Sequence, residues 1–446
     1  MSFPRYGEGK DSGERWLGTV PAHWDVKALK RVCAIVGGST PKSDVAEFWD
    51  GDLIWVTPAD LSQLSRFSIS DSSRRITQAG LDSCGTTLVP NGSIVLSTRA
   101  PIGSIAIAAT SLCTNQGCKS LVPKLGTDTR FYAYLLSAAT DELNLRGRGT
   151  TFLELSADAL GSFEVAFPTA TEQHLIAAFL DRETAKIDAL VEEQKRLIEL
   201  LKEKRQAVIS QAVTKGLDPT TPMKDSGVEW LGPVPAHWVV GSLTRVAYRV
   251  VVGIAEAATH AYADEGTPIL RSTNIRAGRI VGDILFVTDE FSDDRGSKQI
   301  KAGDLVTVRT GNAGVTAVVP SSLDGCQCFT MLITSLTEAC LSEFYCYLLN
   351  SVSSQRYFSL EGWGTAQVNI SVPILKALPV TVPPLAEQKN IVAHLDASTE
   401  KLDGLVGEAE AAMTLLGERR AALISAAVTG KIDLRGLIPQ PEAAPA

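Results

Sequence analysis

The stretch DSGERWLGTVPAHW, residues 11–24, returns almost unchanged as DSGVEWLGPVPAHW at residues 225–238. Carried on to Val32 and Val246, the two copies are identical at 15 of 22 positions. A Trp-Leu-Gly, Pro and His-Trp cluster looks like the entrance to a domain, and this chain has two such entrances.

The duplication extends well past the entrance. FYAYLLSA at Phe131 returns as FYCYLLNS at Phe344, and FPTATEQHLIAAFLDRETAKIDALV at Phe167 returns as VPPLAEQKNIVAHLDASTEKLDGLV at Val382. RQAVISQAVTKGLD from Arg205 returns as RAALISAAVTGKID from Arg420. The offset is 214 at the start (225 minus 11) and 215 at the end (420 minus 205), so one architectural unit is written twice. Between residues 33–130 and 247–343 the copies share little beyond a weak echo, NGSIVLSTRAPIGSIAI against AGDLVTVRTGNAGVTAV. A common frame is expected to serve a common partner or geometry, and each insert a different target.

Residues 169–214 contain no Gly, and Thr169-Ala-Thr-Glu172 has the spacing of a capping box, which predicts a helix starting there. Apolar positions Leu180, Ile187, Leu190, Leu197, Leu201 and Val208 step by threes, fours and sevens, a heptad seam broken at Glu183, Gln194 and Lys204. The second copy places its seam at Leu395, Leu402, Leu405, Ala409, Ala412, Leu416 and Leu423. A helix of this size rises about 65 Å and must bury its stripe, and its own repeat is the natural partner. The inserts read as mixed α/β, with strand-like runs SIVLST (93–98), SIAIAA (104–109), DLVTVRT (304–310) and VTAVVP (315–320) between Gly and Pro turns. The expected fold class is therefore mixed α+β (α/β): two globular parts, 1–168 and 216–383, joined and spaced by helices at 169–215 and 384–433 that form an antiparallel coiled coil. A tail at 434–446, ending in PQPEAAPA, reads as disordered.

A length of 446 residues suffices for two or three domains, each with its own core. No run of about 18 apolar residues occurs and the N-terminus lacks the basic-then-apolar pattern of a signal peptide, so a cytoplasmic protein is expected. The eight cysteines have neither paired CxxC spacing nor nearby His, which predicts small buried hydrophobes and no metal site. A net charge of -8 argues at first against nucleic acid. It is uneven, however: residues 1–215 hold 24 basic and 25 acidic residues, and the remainder 18 and 25. Local placement of Arg and Lys must decide.

The chain has no GxxxxGK[ST] phosphate loop and no Gly-rich cofactor fingerprint. Its one Pro-Pro pair, at Pro383, lacks the flanking Asn or Asp and aromatic with which an amino-methyltransferase holds its base. His174, His260 and His394 have no partner at catalytic spacing, and the repeated His23 and His237 read as parts of a Trp- and Pro-rich structural clamp with nothing acidic recurring beside them. No catalytic constellation is present, and a non-catalytic chain is expected.

Over essentially its whole length the chain resembles the specificity (S) subunit of type I restriction-modification systems. The likeness rests on the duplicated entrance, on GGSTPKSDVAEFWDGDLIWVTPADL from Gly37 and VVGIAEAATHAYADEGTPILRSTNIRAGRI from Val251, and on TRAPIGSIAIA from Thr98, RTGNAGVTAVV from Arg309 and the EQ..I...LD..T.KID.LV helices. The resemblance implies that each globular part is a target-recognition domain reading one half of a bipartite double-stranded DNA sequence. The coiled coil would then set the unspecified gap. It further implies docking of two methyltransferase (M) subunits on the repeated frame and addition of restriction (R) subunits. S-adenosylmethionine, ATP and Mg are expected on those partners only, and no cofactor on this chain.

Half-sites one helical turn apart are centred roughly 34 Å from each other, which calls for a stiff spacer. Acidic net charge is tolerable if partner subunits supply much of the phosphate clamping. Base readers are typically Arg for guanine and Asn or Gln for adenine. In the first insert the polar residues of Gly- or Thr-flanked loops are Thr98, Arg99, Asn115, Gln116, Lys119, Arg146, Arg148, Thr150 and Thr151. The second insert offers Arg271, Ser272, Asn274, Arg276, Arg309, Thr310, Asn312, Gln327, Trp363, Thr365, Gln367 and Asn369. Segments LRGRGTTFLELS and LEGWGTAQVNIS align across the repeat, with Arg146 and Arg148 opposite Glu361 and Trp363. The competing reading is a coiled-coil scaffold that joins subunits without reading sequence, against which the divergence of the two inserts stands.

Overall fold

The computed structural model describes residues 3–64, 67–99, 101–148, 153–255, 261–294, 298–364 and 368–436. Two compact units emerge, one formed by Met1–Glu193 together with Ala411–Ala446 and the other by Gln194–Glu410. Four helices organise them: α1 (Thr129–Ala138), α2 (Ala170–Lys215), α3 (Ser342–Leu349) and α4 (Leu385–Val428).

In the first unit, a five-stranded sheet runs in the order Cys33–Gly37, Cys118–Pro123, Ile94–Ser97, Ile105–Ala108, Ser68–Ile69. Beside it, Trp49–Val56 lies between Cys113–Thr114, parallel to it, and Arg75–Ile76, antiparallel. A separate pair, Asp25–Ala28 with Glu164–Phe167, ties the entrance to the segment that leads into α2. The second unit repeats this arrangement. Ala247–Val252, Leu332–Leu336, Leu305–Thr307 and Thr316–Val318 form the main sheet in the matching order. Thr267–Leu270 lies between Gln327–Cys328, parallel, and Leu285–Val287, antiparallel, and Val239–Ser242 pairs with Pro379–Val382. The inserts, dissimilar in sequence, are the same fold. Sheets are specified by alternation and burial rather than by residue identity, so a duplication can persist in topology after it has faded from the letters.

Each core gathers the same frame residues. Trp24, Phe131, Tyr132, Phe163, Phe179 and Leu180 are buried together in the first unit; Trp238, Phe344, Tyr345 and Leu395 are their counterparts in the second. Both cores also take the far end of a long helix. Ile424, Ala427 and Val428 of α4 complete the first core, and Ile209, Ala212 and Val213 of α2 complete the second. In the first unit Arg420 pairs with Asp188 while Ile424 to Val428 pack near Ile176 to Leu180, so the helix segments run antiparallel. The second unit does likewise, Arg205 pairing with Asp403 and Ile209 to Val213 packing near Ile391 to Leu395.

The capping box predicted for α2 is present: Glu172 N–H donates to Thr169 Oγ1 and Thr169 N–H to Glu172 Oε2. The seam, however, is displaced by one residue over part of its length. Leu190 and Leu197 are 44% and 43% exposed, and Leu405 is 39% exposed. The inward-facing row of α2 is Leu180, Thr184, Ile187, Val191, Gln194, Ile198, Leu201, Arg205, Val208 and Ala212. Its repeat in α4 is Leu395, Thr399, Leu402, Val406, Ala409, Met413, Leu416, Arg420, Leu423 and Ala427. Both rows step strictly by four and three, so the heptad is continuous and Thr184, Gln194 and Arg205 are polar members of it rather than breaks.

α4 ends where Gly430, at φ +70°, reverses the chain: Lys431 N–H donates to Ala426 O and Gly430 N–H to Ala427 O. A Cβ at Gly430 would collide with the Pro21 ring, so glycine also permits the contact with the entrance hairpin. Packing continues past the expected start of the tail, because Leu434 is buried in the first core and Arg435 pairs with Asp433. Residues 437–446 lie outside the described residues.

Candidate nucleic-acid interface

In the first unit the strands Ile94–Ser97 and Ile105–Ala108 are joined by a tight loop, closed by Ser97 N–H to Ser104 O (2.9 Å) and Gly103 N–H to Ser97 O (3.1 Å). Beside it, the chain leaving the helix Thr140–Arg146 doubles back, with Arg148 and Glu154 exchanging backbone hydrogen bonds of 3.0 Å in both directions. Leu155 N–H donates to Thr98 O (2.9 Å), so Glu154 is bridged to Arg99 on one side and to Arg148 on the other. Thr98 and Arg99, Arg148 and Glu154 thus share one small backbone platform.

The second unit has the same platform with different side chains. Trp363 and Asn369 exchange backbone bonds of 3.3 and 3.0 Å, Ile370 N–H donates to Arg309 O (3.0 Å), and Asn369 is bridged to both Thr310 and Trp363. Thr98-Arg99 in one copy therefore corresponds to Arg309-Thr310 in the other, Arg148 to Trp363, and Glu154 to Asn369.

In each platform an arginine holds the central side chain. Arg99 Nη2 lies 3.1 Å from Glu154 Oε2, both side chains being about two-fifths exposed. Arg309 Nε donates to Asn369 Oδ1 (3.1 Å), and Asn369 Nδ2 donates to Thr310 Oγ1 (3.1 Å). Lys119 adds charge beneath the first platform. Burial holds its ammonium below the usual lysine range, Glu154 acting to raise it and Arg99 to lower it further. Trp363 is 60% exposed, unusual for so large an apolar surface.

Several residues named from sequence are turned away from this surface. Thr98 is fully buried and bonded to Gly117 O, and Lys119 is almost fully buried. Asn274 is buried, donating to the carbonyls of Val281 and Asp283, so it fastens a turn. Gln327 is fully buried and donates to Ser292. Arg146 is held between Glu14 (3.2 Å) and Glu142 (3.5 Å) over the Phe163 ring. Residue type and loop position fit all of these, but neither says which way a side chain points.

Asn115 caps its own turn by accepting from Gly117 N–H, and exposed Gln116 contacts Thr40. Since Thr98 N–H donates to Gly117 O, that turn adjoins the first platform. Asn312 is exposed in the loop carrying Arg309 and Thr310. Arg271, with Nη2 donating to Asp283 O, and exposed Ser272 and Arg276 form a separate group. Arg276 lines a cleft with Arg205, Arg279 and Tyr347. Thr150, Thr151, Thr365 and Gln367 lie outside the described residues.

Two features escaped the sequence reading. Glu154 occupies the centre of the first platform, and its alignment with Asn369 was the available signal. The recurring acid beside His23 and His237 is also real, though distant in sequence. His23 Nε2 lies 2.8 Å from Glu172 Oε1, and Trp24 Nε1 donates to the same oxygen at 3.2 Å. His237 meets Glu387 at 2.7 Å and Trp238 Nε1 donates to Glu387 at 2.8 Å. The clamp is structural, with its acid supplied by the first turn of each long helix.

Comparison with known proteins agrees with this architecture. The family model for the type I restriction modification DNA specificity domain matches residues 21–200 and 256–406. The type I restriction enzyme MjaIX specificity subunit of Methanocaldococcus jannaschii is 37% identical over 187 residues. That match covers 42% of each chain, so less than half of that relative's length is spanned. Among solved structures, one described as showing complex assembly and conformational transition of the type I R-M system has a TM-score of 0.72 at 16% identity, covering 93% of this chain and 99% of that one. The HsdS subunit from Thermoanaerobacter tengcongensis has a TM-score of 0.55 at 16% identity, with 93% and 98% covered. Likeness at that identity speaks for the fold, and the family match over both repeats speaks for descent. Taken with the doubled platform, these matches place the chain in the type I restriction-modification DNA specificity domain family.

Proposed function

We propose that this chain is the non-catalytic DNA-recognition subunit of a type I restriction-modification complex. Each unit reads one half of a bipartite duplex target, and the paired helices fix the unspecified gap between the halves. The observation that carries the reading is the platform built twice on one backbone plan with different side chains: Arg99, Arg148 and Glu154 in one unit, Thr310, Trp363 and Asn369 in the other. A protein that only joined subunits would have no use for a repeated surface whose chemistry differs between copies.

The repeated frame suits two methyltransferase subunits, with restriction subunits adding to that core in the cytoplasm. S-adenosylmethionine, ATP and Mg belong to those partners in this reading. Few side chains here carry the base contacts while partner subunits supply phosphate contacts, which accommodates the acidic net charge. Among the described residues no helix is long and apolar enough to cross a membrane.

The test is selection from a random-sequence duplex library by the chain co-expressed with its methyltransferase subunit, followed by sequencing of the retained DNA. Two short constant blocks at a fixed separation are expected, and exchange of residues 33–165 should alter one block only. A complex that forms but enriches no block at any salt concentration would leave the scaffold reading in its place.

A further inference from the structure

Glu154 and Asn369 occupy one position in the two platforms, each bridged on both flanks. They differ in the property that matters most for reading a base edge. A carboxylate only accepts hydrogen bonds, whereas an amide both accepts and donates. We propose that this position is the specificity-determining residue of each unit, with Glu154 reading a cytosine in one half-site and Asn369 an adenine in the other. The inference rests on the DNA-reading function proposed above and deepens it.

The spare hydrogen-bonding capacity fits that assignment. Arg99 engages Glu154 Oε2, which leaves Oε1 to accept from the exocyclic amine of cytosine. The Arg99 guanidinium beside it holds the carboxylate in place, and its own remaining donors match the guanine of the same pair. Asn369 uses one acceptor site of Oδ1 for Arg309 and one hydrogen of Nδ2 for Thr310. One acceptor site and one hydrogen remain, the pair that adenine N6 and N7 require. In both units, then, an arginine positions the reader and leaves half of it open.

Backbone placement favours a reader over a surface ornament. A side chain that discriminates bases must be held before DNA arrives, since ordering it on binding costs affinity. Two backbone bridges do this for Glu154 and for Asn369, together with a side-chain bond from Arg99 to Glu154 and side-chain bonds joining Asn369 to Arg309 and Thr310.

The experiment is the same library selection, run on the full chain with its methyltransferase subunit, for wild type and for the isosteric variants Glu154→Gln and Asn369→Asp. Wild type must first enrich two blocks; failure there overturns the function proposed above and not this assignment in particular. Given two blocks, Glu154→Gln is expected to change one position of one block from cytosine towards adenine. Asn369→Asp is expected to change one position of the other block from adenine towards cytosine. Each change should be about 5- to 150-fold in preference at that position, the range of one good base contact. Unchanged preferences in both blocks, or equal weakening at every position, would overturn the inference. If Glu154→Gln or Asn369→Asp melts early, Glu154→Asp and Asn369→Gln keep the chemistry but change the reach. Lost discrimination at that same single position then upholds the inference, and unaltered discrimination overturns it.

Discussion

Arg205 Nε donates to Asp403 Oδ1 at 2.9 Å, and their repeat-related counterparts Arg420 and Asp188 make the same pair at 3.4 Å. Each arginine stands at an inward-facing heptad position, and each aspartate follows an apolar seam residue, Leu402 or Ile187, on the opposing helix. A cation at a seam position is tolerable only where a carboxylate lies opposite, so the pair selects one antiparallel register over others. Asp403 is largely exposed, which keeps the ion pair itself weak, about 0–1 kcal/mol.

That estimate predicts an unequal mutant series. Arg205→Leu puts an apolar side chain into the seam and leaves an exposed carboxylate behind, so the urea midpoint should hold or rise. Arg205→Ala also loses the packing of the arginine stem and should cost about 1 kcal/mol. Asp403→Ala should stay within about 0.5 kcal/mol of wild type. A strongly destabilised Arg205→Leu would show that the charge pair outweighs packing here.

The corrected seam is tested by two adjacent residues. Ile198 is 7% exposed and Leu197 is 43% exposed. Ile198→Ala should therefore cost about 2–4 kcal/mol by lost burial and cavity formation. Leu197→Ala should change stability by less than about 0.5 kcal/mol. Equal losses would mean that both residues face the partner helix.

Ile198 and Leu197 also show where the sequence became ambiguous. In KIDALVEEQKRLIELL apolar residues occur in adjacent pairs, and choosing leucine over its β-branched neighbour shifts the stripe by about 100° per residue on the helix. The continuous row becomes visible only when Thr184, Gln194 and Arg205 are admitted as seam residues. The frame, the caps and the long helices were legible because near-identical words recur. The inserts were not recognised as repeats because their sheets share order and register without sharing residues. Site residues divided in a similar way. Position in a Gly-rich loop located the platforms through Arg99, Arg148, Trp363 and Asn369, but could not separate them from inward-turned Thr98, Asn274 and Gln327.

Glu172 gives the clamp an acid-sensitive component. Burial acts to raise its carboxyl pKa, yet hydrogen bonds from His23, Trp24 and Thr169 outweigh burial and hold it below the usual glutamate range. A depressed carboxyl contributes stability that is present above its unfolded pKa, about 4.3, and is lost as pH falls through the folded value. The wild-type urea midpoint should drop by more than that of Glu172→Gln as pH falls from about 5 to about 2, through the unfolded and then the folded value. Glu172→Ala should be worse than Glu172→Gln at pH 7, by about 1–3 kcal/mol, because the fully buried Trp24 Nε1 would be left without an acceptor. An identical pH response in wild type and Glu172→Gln would remove Glu172 from the acid transition.

Trp363 and Asn274 are both candidates from sequence, and the structure gives their side chains opposite surroundings. Trp363 is 60% exposed on the second platform, its backbone secured by Asn369 and its indole free of the core. Trp363→Ala should leave the melting midpoint within about 1 °C, since little apolar surface is lost from the interior. If the platform meets DNA, the loss of an exposed aromatic should weaken retention of the selected sequence about fivefold or more. Asn274 is buried, and its amide donates to the carbonyls of Val281 and Asp283 while accepting from Arg271 N–H. Asn274→Ala removes the donor to the Val281 carbonyl and the acceptor of Arg271 N–H, leaving Arg271 Nη2 as the donor to Asp283 O, and should cost about 2 kcal/mol of stability. Any effect on DNA should follow the loss of folded protein and fall equally on all sequences. Melting curves and library selection on the two variants separate the cases: a Trp363→Ala chain that melts early but reads DNA normally would exchange the roles assigned to the two residues.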